Sequence, residues 1–302
     1  MKIAISGLGR MGGQIAKKLA ENGHTVIAHD RSPEPIDAAA EYGAIPAHDK
    51  QAVIDAFDGQ PVVLWIMIPA EVIESVIEDW LTCLPAGSII IDGGNSDYRS
   101  DRARADKVAA HGSTLLDIGT SGGVWGIVNG FSMMVGGDKT AYDTVVPVLD
   151  TLSTPRGGHQ YFAGSGSGHY VKMVHNAIEY GMMESLAEGY RMLSEGPYKN
   201  INLADAGDIW QKSSVVTSWL NDLTHQAIQE NPNLDGISGV VAESGEARWT
   251  LETADQLGIP LPAIQAAFDV RLASQKGEIN FATKLLAAMR NKFGGHNING
   301  QQ

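Results

Sequence analysis

Lys2-Ile3-Ala4-Ile5-Ser6-Gly7-Leu8-Gly9-Arg10-Met11-Gly12 opens the 302-residue chain. A short apolar run feeds a G-x-G-x-x-G loop, and a helical pattern, Met11–Asn22, follows at once. A second apolar run, Thr25–Ala28, then leads to Asp30. Strand, glycine loop, helix and second strand with an acid at its end form the context in which this otherwise weak motif implies a dinucleotide site. Gly7 makes the tight turn, Gly9 lets the backbone approach a pyrophosphate, and Gly12 lets helix and strand pack closely. The helix N-terminus favours the negative charge. A glycine-rich turn with no ligand is the plainer alternative, and the full context weighs against it.

The cofactor candidates are Gly7, Leu8, Gly9, Arg10, Met11, Gly12, Asp30, Arg31 and Ser32. Asp30 suits a ribose diol and repels a 2′-phosphate. Arg31 beside it offers that phosphate a partner. The two residues point in opposite directions, so the expected cofactor is NAD with NADP tolerated.

Outward from this loop, strand-like runs recur at Val62–Ile66, Ile89–Asp92, Thr114–Asp117 and Ser132–Val135, with helical patterns at Ala70–Leu81 and Arg99–His111. Such alternation predicts a parallel sheet covered on both faces, a Rossmann-like doubly wound α/β domain. After Ala163 the Gly164-Ser165-Gly166-Ser167-Gly168 stretch introduces a long helical pattern from His169 to about Glu195. Helical spacing with Pro, Gly and Asn breaks continues to Arg290. The expected domains are a dinucleotide-binding domain at 1–163 and an all-α substrate and dimerisation domain at 164–302.

Composition narrows the partners. The chain carries 22 basic and 35 acidic residues, a formal net charge of −13. Without a long Lys/Arg run, it suits neither nucleic acid nor an anionic membrane. An anionic substrate must be drawn in by a few placed cations. No run approaches the roughly 20 apolar residues of a membrane span. Met1–Leu8 enters the glycine loop without the longer apolar region of a signal peptide. The single cysteine, Cys83, forms no intrachain disulfide or cysteine cage, and a cytoplasmic location is expected.

On the long helix, Lys172, His175, Asn176 and Glu179 stand at i, i+3, i+4 and i+7, along one face. The rest of that helix, Met173, Val174, Ala177, Ile178, Met182, Met183, Leu186 and Ala187, reads as buried. Burial lowers a lysine's pKa and raises a glutamate's, toward values useful to a base and an acid. A solvated ion-pair stripe would show the same spacing. The dinucleotide loop tips the reading toward catalysis.

These residues, with Gly7–Gly12, Ile91-Asp92-Gly93-Gly94-Asn95-Ser96, Ser121-Gly122-Gly123, Lys172-Met173-Val174-His175-Asn176-Ala177-Ile178-Glu179-Tyr180, Arg248-Trp249-Thr250, Arg271 and Arg290-Asn291-Lys292-Phe293-Gly294-Gly295-His296, resemble the decarboxylating 6-phosphogluconate dehydrogenases of the short-chain type. The resemblance implies oxidative decarboxylation of 6-phosphogluconate to ribulose 5-phosphate, with Lys172 as general base and Glu179 as general acid. It implies that Asn95, Ser121, Gly122, Gly123, His175 and Asn176 hold the sugar acid, Asn95 also meeting the cofactor. Tyr180, Arg248, Thr250, Arg271, Arg290 and His296 would surround the phosphate.

No metal is implied, and the sequence shows no compact His/Asp/Glu ligand cluster. The resemblance also implies a homodimer or larger homo-oligomer with a shared active site, Arg290 and His296 reaching a neighbour from a tail after the helical domain. Three features depart from long-chain members. Val124-Trp125-Gly126 replaces acidic residues, Arg248 replaces a common lysine, and the helical part is short. A β-hydroxyacid dehydrogenase would share the loop, Lys172 and Asn176, but has no need of Gly93-Gly94-Asn95-Ser96, Glu179 or Arg290…His296. A silent dinucleotide sensor would have no use for both Lys172 and Glu179.

Overall fold

Four of the five residues of β1 (Lys2–Ser6) are buried, as a strand covered on both faces must be. The computed structural model describes residues 1–295 and 297–298. From β1 the chain runs through α1 (Arg10–Glu21), β2 (Thr25–His29), α2 (Pro33–Ala40), β3 (Ile45–Pro46), α3 (Lys50–Ala56) and β4 (Val63–Ile66). It continues through α4 (Ile73–Leu81), β5 (Ile89–Asp92), α5 (Asp101–Ala110), β6 (Thr114–Ser121) and α6 (Gly126–Asn129). β7 (Ser132–Gly137), α7 (Lys139–Ser153), β8 (Gly158–Tyr161) and the long α8 (Ser167–Glu195) follow.

The strands form one eight-stranded sheet in the order β3-β2-β1-β4-β5-β6-β7-β8. The order reverses between β1 and β4, and a ligand crevice in such a sheet lies beyond the carboxyl ends of the strands there. Successive side chains serve opposite faces. Ile3, Ile5, Trp65, Ile91 and Ile118 join α1 and α7 through Ile15, Leu19, Val145 and Leu149. Ala4, Ile27, Leu64, Ile66 and Ile90 join α3, α4 and α5 through Val53, Ile77, Trp80 and Val108. The expected doubly wound domain is present, with one correction. β6 and β7 are antiparallel, paired from Leu116↔Gly137 to Ser121↔Ser132, while the other neighbours are parallel. The link between them holds only a short turn and α6, too little for a crossover. That pairing also carries β6 past Asp117 to Ser121.

The chain divides into two compact units, Met1–Met173 and Val174–Gln302, and the division falls inside α8 rather than at the glycine-rich stretch before it. The described residues of the second unit are helical, as expected: the rest of α8, α9 (Leu203–Gln211), α10 (Trp219–Glu230), α11 (Glu246–Leu257), α12 (Pro262–Gln275) and α13 (Phe281–Gly294). Met183, Ala187 and Tyr190 of α8 pack with Leu220 and Ile228 of α10 and Leu285, Leu286 and Met289 of α13. A capping box of Asn280 and Thr283 starts α13. Among the described residues no helix is long and apolar enough to cross a membrane.

The expectation that α8 buries all its apolar residues holds for Met173, Ala177, Met183 and Ala187, but Ile178 and Met182 are 51% and 44% exposed. Together with Ser185, Gly189 and Met192 they form an exposed stripe at alternating steps of four and three. That spacing marks a single helix edge. One edge of a helix cannot face two sides of a unit this small.

Candidate functional site

In the first unit the glycine loop is shaped as the motif requires. Gly7 has φ +95°, and a Cβ there would lie 2.3 Å from the Met67 carbonyl oxygen. A Cβ on Gly12 would lie 1.9 Å from the Gly7 oxygen, so strand and helix are in contact. An added Cβ on Gly9 meets nothing within 4 Å, which leaves its backbone open to a ligand. Helix α1 has no side-chain cap and no acid in its first turn. Its first N–H groups and positive dipole end therefore fit a pyrophosphate.

The Asp30 carboxylate accepts the Leu8 N–H at 2.7 Å and the Ser32 N–H at 3.0 Å, tying β2 to the loop. Each oxygen keeps a further lone pair for a ribose hydroxyl. Arg10 and Arg31 are exposed, and Met11 is half-buried.

Two further loops belong to this unit. After β5, a Cβ on Gly93 would strike the Trp65 indole at 2.0 Å, so only glycine fits. Asp92 Oδ1 accepts the Gly94 N–H at 3.1 Å and folds the turn back, leaving Asn95 exposed and Ser96 buried. After β6, Ser121-Gly122-Gly123 leads into a turn at Gly123–Trp125, with Gly122 at φ +128°. The ammonium of Lys18, a buried residue of α1, donates to the carbonyls of Gly126, Ile127 and Thr154 at 3.2, 3.1 and 2.5 Å. Burial lowers its pKa. This lysine, missed in the sequence, holds the far end of the Ser121–Gly123 loop.

Two alternate residues of β6, Asp117 and Gly119, face the start of α8. Asp117 accepts the N–H groups of Gly166, Gly168 and His169 at 2.8, 2.8 and 3.1 Å. Gly119 lies against Lys172, since a Cβ on it would come within 2.2 Å of the Lys172 Cβ. Ser121 is the next residue on the same face. Lys172 is 7% exposed, as its reading requires.

The sequence shows no compact ligand cluster, but the fold assembles one. Asp92, Asp101 and His169 are all buried and bring one ligand-type atom each within 4.8 Å of the others. His169 and Asp101 are 68 residues apart, which hides the group from any reading of spacing. The Arg104 guanidinium already lies 2.8 Å from Asp101 and 3.7 Å from Asp92.

In the second unit, Asn176 donates to Glu246 Oε1 at 2.7 Å, and its own oxygen lies 2.9 Å from His175 Nδ1. Glu246 is buried and was not singled out in the sequence, because its partner is 70 residues away. Glu179 is half-buried. Tyr180 is buried, and its hydroxyl accepts the Ser244 N–H at 3.2 Å. The Arg271 guanidinium stacks on the Tyr180 ring, 3.2 Å from its centroid. Arg271 and Arg290 are 2% and 8% exposed, and among the described residues neither pairs with a carboxylate.

Burial pulls Arg271 down to about 10, and the charge of Arg290 acts in the same direction. Burial also lowers Arg290, against the pull of Tyr180, Glu179 and Glu246. Glu184, also missed, is pushed up to about 7 by burial and by Glu188, with Arg271 opposing.

Thr250 is buried. Arg248 is exposed and paired with Glu243 at 2.6 Å. Arg290 corrects the expectation of a tail. It sits inside α13 and shares Arg271's surroundings in the same chain, because α13 is a packed core helix. His296 lies outside the described residues. The structure thus gathers Asn176, Tyr180, Glu246, Arg271 and Arg290 in one unit and Lys172, Gly119 and Asp117 in the other.

Comparison with known proteins bears on this arrangement. Residues 2–164 match the NAD binding domain of 6-phosphogluconate dehydrogenase, and residues 168–293 match its C-terminal domain. The NAD(+)-dependent, decarboxylating 6-phosphogluconate dehydrogenase of Haloferax volcanii is 36% identical over 300 residues, covering 99% of this chain and 98% of its own. Among solved structures, Plasmodium falciparum 6-phosphogluconate dehydrogenase, known with its cofactor NADP+ and with its substrate 6-phosphogluconate, has a TM-score of 0.82 at 28% identity. The match covers 92% of this chain and 63% of that longer one. A Mycobacterium tuberculosis 3-hydroxyisobutyrate dehydrogenase has a TM-score of 0.72 at 22% identity, a likeness of fold.

Proposed function

The chain belongs to the 6-phosphogluconate dehydrogenase family, and from this premise we propose that it converts 6-phosphogluconate to ribulose 5-phosphate and carbon dioxide with reduction of NAD. The observation that carries the reading is the pair of buried guanidiniums, Arg271 and Arg290, around Tyr180 in a chain of net charge −13. Two like charges held out of water, with no carboxylate in salt-bridge contact among the described residues, fit a dianion such as a phosphate.

NAD at the glycine loop supplies the hydride acceptor. Lys172 takes the C3 hydroxyl proton as the hydride leaves C3. The resulting ketone lies β to the C1 carboxylate, so the electrons of the C1–C2 bond pass toward C2 as carbon dioxide leaves. Glu179 then delivers a proton to C2 of the substrate, which becomes C1 of the ribulose 5-phosphate. One proton removed and one returned leave no net proton change. His175 and Asn176, oriented by Glu246, and the Asn95 and Ser121–Gly123 loops hold the sugar acid, while Tyr180, Arg248, Thr250, Arg271 and Arg290 surround its phosphate. The C3 ketone is the electron sink and Glu179 the proton donor, so the chemistry needs no divalent ion.

Absorbance at the nicotinamide band, with 6-phosphogluconate and a chelator present, should rise with one carbon dioxide released per reduced cofactor. No reduction with 6-phosphogluconate, alongside turnover of 3-hydroxyisobutyrate or tartronate semialdehyde, would overturn the proposal.

The cofactor order follows from Asp30. We expect a higher kcat/KM with NAD than with NADP. Asp30→Asn should narrow or invert that ratio, because the amide oxygen still accepts the Leu8 N–H while the charge that repels a 2′-phosphate is gone. A native preference for NADP would mean that Arg31 outweighs Asp30.

The assembly proposed is a homodimer or larger. The stripe of Ile178, Met182, Ser185, Gly189 and Met192 borders a cavity of about 370 Å³ lined by Leu186, Trp210, Val215 and Val216. Val215 is fully exposed. Small residues at Ser185 and Gly189 allow the close approach of a second copy. His296 is proposed to complete a neighbouring subunit's site. Inactive Lys172→Ala chains mixed with inactive His296→Ala chains should regain activity once subunits exchange. Exchange without recovery would place His296 in its own subunit's site.

A further inference from the structure

Three carboxylates, Asp92 of β5, Asp101 of α5 and Asp117 of β6, surround one imidazole at the start of α8, each 1% exposed or less. His169 Nδ1 lies 2.7 Å from Asp101 Oδ2. Its Nε2 and Asp92 Oδ2 are sealed from solvent and have no hydrogen-bond partner among the described residues. Arg104 of α5 is the other cation, held at Asp101 and by Glu74 of α4 at 3.1 Å. We propose that His169, clamped between Asp101 and Asp117 in this sealed chamber, is a positioning residue for Lys172. The proposal rests on Lys172 being the general base.

Geometry carries the argument. The His169 backbone N–H and that of Gly168 are fixed on Asp117, and its side chain is fixed on Asp101. One residue is therefore held at two points, which sets both the height of α8 along β6 and its rotation. From Asp117 to Gly119 is two strand residues, about 6.6 Å. From Gly168 to Lys172 is four helical residues, about 6 Å. The two rises match, so a helix capped at Asp117 brings Lys172 to rest on Gly119. His169 and Lys172, three residues apart, are neighbours on the helix surface.

The charge state agrees. Burial opposes the imidazolium, but Asp92, Asp101 and Asp117 outweigh it and hold the ring at about 9. Burial pushes Asp117 up to about 6, opposed by His169 and by its backbone bonds. A fixed positive charge one turn from an amine favours its neutral form, the form a base requires.

The test uses full-length protein with His169→Asn, whose amide can still reach Asp101 but carries no charge. At neutral pH kcat should fall about tenfold to a hundredfold. KM for 6-phosphogluconate and NAD affinity should stay near native, and the acid-side limb of the pH–kcat profile should move to higher pH. The unfolding midpoint supplies a separate sign. The imidazole is raised from 6.5 to about 9 on folding, so its stabilisation is full below about 6.5 and lost as pH rises through about 9. His169→Asn should flatten that fall.

A folded variant with native kcat and an unmoved limb would overturn the proposal. So would a kcat loss matched by equal loss of NAD affinity with the limb in place, since that is only structural damage. If His169→Asn fails to fold, Asp101→Asn, which keeps the imidazole and removes its anchor, decides on the same readouts. A magnesium- or zinc-dependent rise in the native midpoint that either variant abolishes would make the chamber a metal site instead. Lys172→Ala is run beside them: if it stays active the general-base reading falls, and if it alone is inactive only the role of His169 falls.

Discussion

Lys172→Ala should lower turnover of 6-phosphogluconate by about 10²–10⁴-fold, the usual contribution of a placed general base. The side chain is buried over Gly119, so truncation removes the base and leaves a space in its place. Lys172→Arg sharpens the test, because a guanidinium keeps the charge but does not deprotonate in proteins. It should be as inactive as the alanine variant. Glu179→Gln should differ from both, with a rapid burst of reduced cofactor and then slow turnover, since only the proton delivery to C2 is impaired. Near-native turnover in Lys172→Ala would remove that lysine from the chemistry, and equal burst kinetics in all three variants would collapse the division of roles.

Arg290→Met should produce the second large effect, and in two opposite directions. Losing one side of a buried charge contact typically costs about 2–5 kcal/mol. At about 1.4 kcal/mol per tenfold, kcat/KM for 6-phosphogluconate should fall about 30- to 4000-fold, mostly through KM. The unliganded protein should become more stable. Arg290 is desolvated and repelled by Arg271, and although Glu179 and Glu246 attract it, neither forms a salt bridge with it among the described residues; an apolar side chain of similar length relieves the burial and the repulsion. Inorganic phosphate should raise the unfolding midpoint of the native protein more than that of the variant. An Arg290→Met enzyme with a native KM, or one less stable than native, would show that the guanidinium serves the core and not the substrate.

Much of this was readable from local pattern, and the failures have physical causes. Runs such as Val63–Ile66 and Ile89–Asp92 are apolar on both faces, so the sheet's centre was plain. β8 was hidden because Gly158-His159-Gln160-Tyr161 is a polar edge strand with little buried surface. Helix α7 carries Pro147 in its interior, and α2 starts on Pro33, so both broke the helical signal. The face of α8 was legible because a helix fixes neighbours at short spacing. The partners that orient it were not: Glu246 reaches Asn176 and Asp101 reaches His169 only across the tertiary fold. The exposure of Ile178 and Met182 was equally invisible, since an apolar residue at helical spacing looks the same facing a core or a second copy.

The division of the chain within α8 has a consequence for recombination. A crossover placed at the glycine-rich stretch after Ala163 would graft Lys172 and His169 from one parent onto Gly119, Asp101 and Asp117 from the other. Every such chimera inherits a strand and a helix whose fit was never selected together. A crossover between Met173 and Val174 keeps the base with the sheet that seats it. The helical unit can then be exchanged as a cassette that carries Arg271 and Arg290, the proposed phosphate ligands, and leaves the proposed base with its own parent.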